Sequence, residues 1–362
     1  MRFRRPRYLV IVGAAVVVVA AIVVAVVLLT SGGEEKVAPI PGSEPSENRV
    51  VTDKVWPAPL ALGIPIDATT QSDQPADVAL IDGAMYLVAP SESRILEMSA
   101  DGKSFKVLDK QVDPQLALSS IGGITSFQGQ LFVTDATTGR ILVVSPAGTV
   151  VEAITLAKGA STDQVPPFPV GIAVWSDGSF AVSDGGNDRL TKYGQDGHAV
   201  WSVGSGTRAT GENGFNAPIG VALDKSGNVY VVDSLNSAVK KYSPDGKFLL
   251  AIGQAGNGAG DLSRPKGVAV DDLGNVYVSD GLQAAVEVYD QSCTFVGVIV
   301  RKDPADKNSD TMFQAPDGLK ILGGKLYVVD RFAGIFVFNL PTSQPASATQ
   351  PSSTSKTTGA SE

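Results

Sequence analysis

The chain has 362 residues, a formal charge of −8 at pH 7, one histidine and one cysteine. That acidity argues against a nucleic-acid partner, which needs clustered Lys and Arg. A single cysteine, Cys293, excludes an intramolecular disulfide, and a single histidine, His198, excludes any centre built from several imidazoles.

Residues 1–8 form a basic head with Arg2, Arg4, Arg5 and Arg7, and Leu9 to Leu29 is a run of 21 residues without charge. At roughly 1.5 Å per residue, such a helix spans a hydrocarbon core of about 30 Å. Arginines before it and Glu34 and Glu35 after it place the head in the cytoplasm. The run is long for a cleaved signal peptide and has no A-x-A site just behind it, so residues 9–29 are expected to be a single-pass signal anchor. Everything from Thr30 onward is then extracytoplasmic. Residues 30–48 read as a Pro/Gly/Glu-rich linker. Residues 341–362 are a Ser/Thr/Pro-rich tail, too poor in apolar groups to order itself and open to O-glycosylation.

Between them, residues 49–340 repeat one phrase six times, most clearly PIGVALDKSGNVYVVDSLNSAVKKYSPDGKFLLAIG from Pro218. A period of about 46 to 51 residues means a repeat architecture, and short strands punctuated by glycine make each unit a four-stranded sheet. Two anchors recur. A glycine opens the first strand (Gly123, Gly171, Gly220, Gly267, Gly318), with Asp77 in that slot in the first unit. An aspartate ends the second strand (Asp135, Asp184, Asp233, Asp280, Asp330), with Ala89 in the first unit. Inner strands crowd at a propeller axis, so a residue without Cβ permits close backbone approach. The aspartate falls where a carboxylate can accept backbone N–H groups of the next turn. The sixth unit stops after its third strand, 334–340, and 49–56 (RVVTDKVW) is expected to supply the missing outer strand.

The pattern P-x-G-[VI]-A-[VL]-D, then G-N-[VL]-Y-V-x-D, then x-x-N-x-R-[IV], best kept in 169–204, 218–253 and 265–300, resembles the NHL repeat family. The resemblance covers about three quarters of the chain and implies an all-β, six-bladed β-propeller, here preceded by one transmembrane helix. The family's members bind proteins, RNA or glycans, so the resemblance does not by itself name a function. The architecture is also similar to the outer sensor propellers of some bacterial Ser/Thr kinases, although no kinase motif is present here.

Chemistry is sparse. His198 falls in a surface turn between third and fourth strands, which removes both a histidine triad and the zinc site of propeller lyases. Cys293 takes the place of the glycine in the equivalent turn of blade five, where a turn of altered type is expected. The residue before each inner glycine faces the axis, which groups Lys266 and Asp317 with Asp77 on consecutive blades. Propellers similar to gluconolactonases bind a divalent ion at this end of the axis, but no matching asparagine accompanies the two carboxylates. No cofactor is required, and Ca²⁺ at this cluster stays an open alternative. The highly charged loop 301–316 does not match an EF-hand spacing and reads as solvated.

On the same face, two residues past the anchor aspartate, three consecutive blades carry apolar tips, Leu235, Leu282 and Phe332, with Arg331 beside the last. An apolar patch with a polar rim suggests a partner surface, and arginine is enriched at binding hot spots. Two functions follow. The first is a membrane-tethered recognition module for a protein, peptide or envelope glycan, using Leu235, Leu282, Arg331, Phe332, Lys266, Asp317 and Asp77. The alternative is a metal-assisted lactonase, esterase or lyase using Asp77 and Asp317.

Overall fold

The structure is a computed structural model that describes residues 60–64 (backbone only), 74–98, 105–110, 112–160, 165–299 and 313–340. The expected anchor at 9–29, the linker, the tail and most of the 301–316 loop lie outside these residues. Among the described residues, no helix is long and apolar enough to cross a membrane.

The described strands form six four-stranded antiparallel sheets, five of them with their strands in sequence order from the axis outward. Blade three shows the plan, with strands Pro169–Val174, Phe180–Asp184, Arg189–Tyr193 and Ala199–Val203. Blades one, two, four and five repeat it over 77–108, 121–155, 218–252 and 265–299. Blade six takes three strands from 316–339 and its outer strand from Leu60–Ile64, which pairs antiparallel with Gly334–Asn339. The N-terminal side of the repeat region thus closes the ring, as expected. The closing strand, however, is Leu60–Ile64 rather than 49–56, which lies outside the described residues. Leu60 begins, and Asn339 ends, where every other blade has its third-to-fourth-strand turn.

The apolar run in each second strand has a direct cause. In Val229–Asp233, Val229 and Val231 pack toward blade three, whereas Tyr230 and Val232 pack toward blade five. Each of the six blade boundaries has its own apolar cluster of this kind, including the one between blades six and one. A sheet buried on both faces reads as continuous hydrophobic sequence.

The anchor glycines sit where predicted. A Cβ on Gly171 would lie 2.2 Å from the carbonyl oxygen of Ile219 in the next blade, and one on Gly267 would lie 2.4 Å from that of Asp317. Five inner strands carry a bulge just after their first residue, at the anchor glycine. The first blade has none and runs in unbroken register from Asp77 to Ile81. Cys293 corrects one expectation. Its turn is not of another type, since it adopts the left-handed conformation at φ +61°, as Gly148, Gly197 and Gly246 do in their blades. Burial pushes its thiol pKa up, away from reactive thiolate.

Candidate functional site

The anchor aspartates build the face that carries the candidate site. Asp280 accepts the N–H groups of Ser263 (2.6 Å) and Arg264 (2.9 Å) from the incoming connection, and those of Leu282 (3.1 Å) and Gln283 (3.0 Å) from its own turn. Asp330 does the same with Gln314 and Ala315 on one side and Phe332 and Ala333 on the other. Both carboxylates are fully buried and spend their hydrogen-bonding capacity on four backbone donors. The sequence predicted bonds within the turn, and the structure adds the clip onto the preceding loop. Leu282 and Phe332 therefore stand on turns whose backbone is held from both sides.

Those tips are open to solvent. Leu282 is 72% exposed, Phe332 51% and Leu235 48%, at the same turn position of blades five, six and four. Leu235 lies in a short 3₁₀ helix, Ser234–Asn236. Asn236 fixes this helix by donating to Asp233 and to the carbonyl of Ala209, both at 2.8 Å.

The axial residues separate into two groups. Asp317 forms an ion pair with Arg331, which the pairing of Pro316 with Asp330 places alongside it. Lys266 lies close by, its stem passing Gly281, the residue before Leu282, where an added Cβ would be 3.6 Å from the lysine Cγ. Burial holds its ammonium pKa below the ordinary value; Asp317 opposes this, and repulsion from Arg331 and Arg264 adds to it. Among the described residues, neither the Lys266 nor the Arg264 side chain makes a hydrogen bond or ion pair.

Asp77 does different work. One carboxylate oxygen accepts its neighbour Val78 N–H at 2.9 Å, and the other accepts Ile124 N–H of blade two at 3.0 Å. It is wedged against the inner strand of blade six, where a Cβ on Gly318 would meet its carboxylate at 2.8 Å. Burial raises its pKa, Lys320 and the two N–H bonds pull it back, and Asp317 adds a smaller upward push. The expected cluster of one cation beside two carboxylates is thus redrawn. Asp77 is a wall-bracing group, and Asp317 sits among Arg264, Lys266 and Arg331.

Arg264 was missed in the sequence because only the residue before each glycine was read as axial. The signal available was the basic pair in SRPKG. Toward the other end of the inner strands, a cavity of about 160 Å³ is lined by Val174, Leu223, Val270 and Ile321, with Thr125 and Lys320 as its polar members. His198 is exposed in its turn, as predicted. Among the described residues, no group of three or more His, Cys, Asp or Glu could hold a metal ion. The two carboxylates proposed for one are already committed to Arg331 and to backbone N–H groups.

Comparison with known proteins agrees with the architecture. The NHL repeat model matches residues 215–242. That segment opens on fully buried Phe215 and ends on Tyr242, whose rings lie 6.0 Å apart. Among curated proteins, none matches the chain. Solved structures of similar fold include a catalytically inactive virginiamycin B lyase from Staphylococcus aureus with quinupristin, at 12% identity and TM-score 0.51, covering 77% of this chain and 88% of that one. A gluconolactonase from Xanthomonas campestris is similar at 15% identity and TM-score 0.55, covering 75% and 88%. A Bacteroides thetaiotaomicron protein of unknown function is similar at 14% identity and TM-score 0.56, covering 75% and 70%. Identities this low speak for the fold alone. The chain is a six-bladed β-propeller carrying an NHL repeat in its fourth blade.

Proposed function

We propose that this protein is a membrane-tethered, extracytoplasmic recognition module. It presents the face of second-to-third-strand turns to a protein, peptide or envelope glycan. The carrying observation is the row of exposed apolar tips, Leu235, Leu282 and Phe332, on consecutive blades, on turns pinned by buried aspartates. A rigid scaffold that offers apolar groups to water at a fixed spacing gains by covering them. The charged apron of Lys266, Arg331 and Asp317 lies alongside and supplies the polar rim that partner surfaces carry. The tether rests on the uncharged run 9–29 and the basic head before it. No cofactor enters this reading. Metal-assisted hydrolysis asks for carboxylates free to take a cation, and Asp77 and Asp317 are otherwise engaged.

The test is capture by chemical crosslinking in envelope preparations of cells expressing the full chain, with Leu282→Asp and Phe332→Ala compared with wild type. The reading expects a discrete crosslinked partner that both changes remove while the melting temperature stays within about 2 °C, as for other surface changes. A partner retained by both variants would overturn it.

A further inference from the structure

The charged groups that reach the surface around the mouth of the axis at blades five and six are unequal in sign. Arg264, Lys266 and Arg331 are cations, and among the described residues only Asp317 offsets them at the surface there, already paired with Arg331. Asp280 and Asp330 are near, but each is fully buried and holds four backbone N–H groups, so neither offers a lone pair outward. Among the described residues, Lys266 and Arg264 therefore keep unspent donors, in a chain whose formal charge is −8. Beside them stand Leu282 and Phe332, the two most exposed of the three apolar tips.

We propose that this quarter of the face docks an acidic peptide segment of a partner protein, its carboxylates taken by Lys266 and Arg264 and an apolar side chain covering Leu282 and Phe332. The inference rests on the recognition reading above and names the partner chemistry for it. An anionic polysaccharide offers carboxylates but no aliphatic side chain to bury a leucine that is 72% exposed. A peptide offers both within a few residues. Arg264 adds a planar fork suited to bidentate carboxylate binding. Asp317 holds the third cation in place and repels a carboxylate from that spot, which fixes the register of the docked chain.

The test pans a displayed random heptapeptide library against the full chain and measures binding of the consensus peptide in solution. Enrichment in Asp and Glu together with Leu, Ile or Phe is expected. The consensus should bind about tenfold more weakly to the Lys266→Gln, Arg264→Gln double variant, and more weakly at high salt. Lys266→Arg, which keeps the charge, should retain binding and controls for folding. Enriched sequences without acidic excess, no enrichment, or indifference to the double variant would each overturn the inference. If the double variant leaves binding intact while Leu282→Asp abolishes partner capture, the recognition reading stands and only the acidic-peptide assignment falls.

Discussion

Ser183 of blade three is bonded to Ile219 of blade four across the axial seam, donating its hydroxyl to that residue's carbonyl while accepting the N–H of Gly171 at 2.8 Å. Thr134 repeats the bridge to Val170, and Ser279 repeats it to Asp317. Blades one, four and six carry Val88, Val232 and Val329 at this position. Ser183→Ala would leave an inner-strand N–H and a neighbouring carbonyl without this partner, a loss of roughly 1–3 kcal/mol. Urea denaturation should show a lower midpoint with an unchanged slope.

The inner glycine of the same blade faces a harder limit. Gly171→Ala places a methyl group 2.2 Å from a backbone oxygen that cannot move without opening the seam. A cost of about 3 kcal/mol or more is expected. Gly281→Ala is the internal control, since its nearest neighbours would lie at 3.6 Å, an ordinary contact. Thermal melts of the two variants should differ widely. Equal melts would contradict the close approach.

Lys266 gives the chain a pH dependence. Its folded pKa lies below the ordinary lysine value of 10.5, chiefly through burial. The folded chain thus releases this proton at lower pH than the unfolded chain, so stability rises with pH between the two values. The penalty for burying the ammonium is fully present below the folded pKa and fades as the pH rises toward the unfolded one. Lys266→Met removes it and should melt higher than wild type at pH 7, with the gap closing as the pH approaches 10.5. A gap that widened with pH would reverse the assignment.

Removing residues 60–64 strips the outer strand from blade six and uncovers the edge of Gly334–Asn339. Bare edges pair with other chains. The deletion should self-associate on size-exclusion chromatography, whereas deletion of 49–56 should remain dispersed.

Much of this architecture is legible in the sequence because two steric demands recur with fixed residue types. No side chain but hydrogen fits beside the neighbouring carbonyl at Gly171 or Gly267, and a carboxylate at Asp280 or Asp330 saturates four backbone donors. The closing strand was misplaced because LALGI, the sequence of 60–64, carries no polar residue, whereas 49–56 mixes polar and apolar ones as an outer strand does. Asp77 was misread for a related reason. Without the bulge of the other inner strands, its carboxylate turns to Ile124 of the next blade. Arg264 was hidden because its place near the axis depends on Asp280 holding its N–H from 16 residues away.

Ring closure by Leu60–Ile64 also decides how the molecule can be handled. The chain enters at Leu60 and leaves after Asn339 at one end of the barrel of sheets, while Lys266, Leu282 and Phe332 occupy the other. A short linkage fixed next to Leu60 or Leu340 therefore starts from the end of the ring opposite Leu282 and Phe332, and immobilisation there leaves their apolar, cation-rimmed turns turned away from the support.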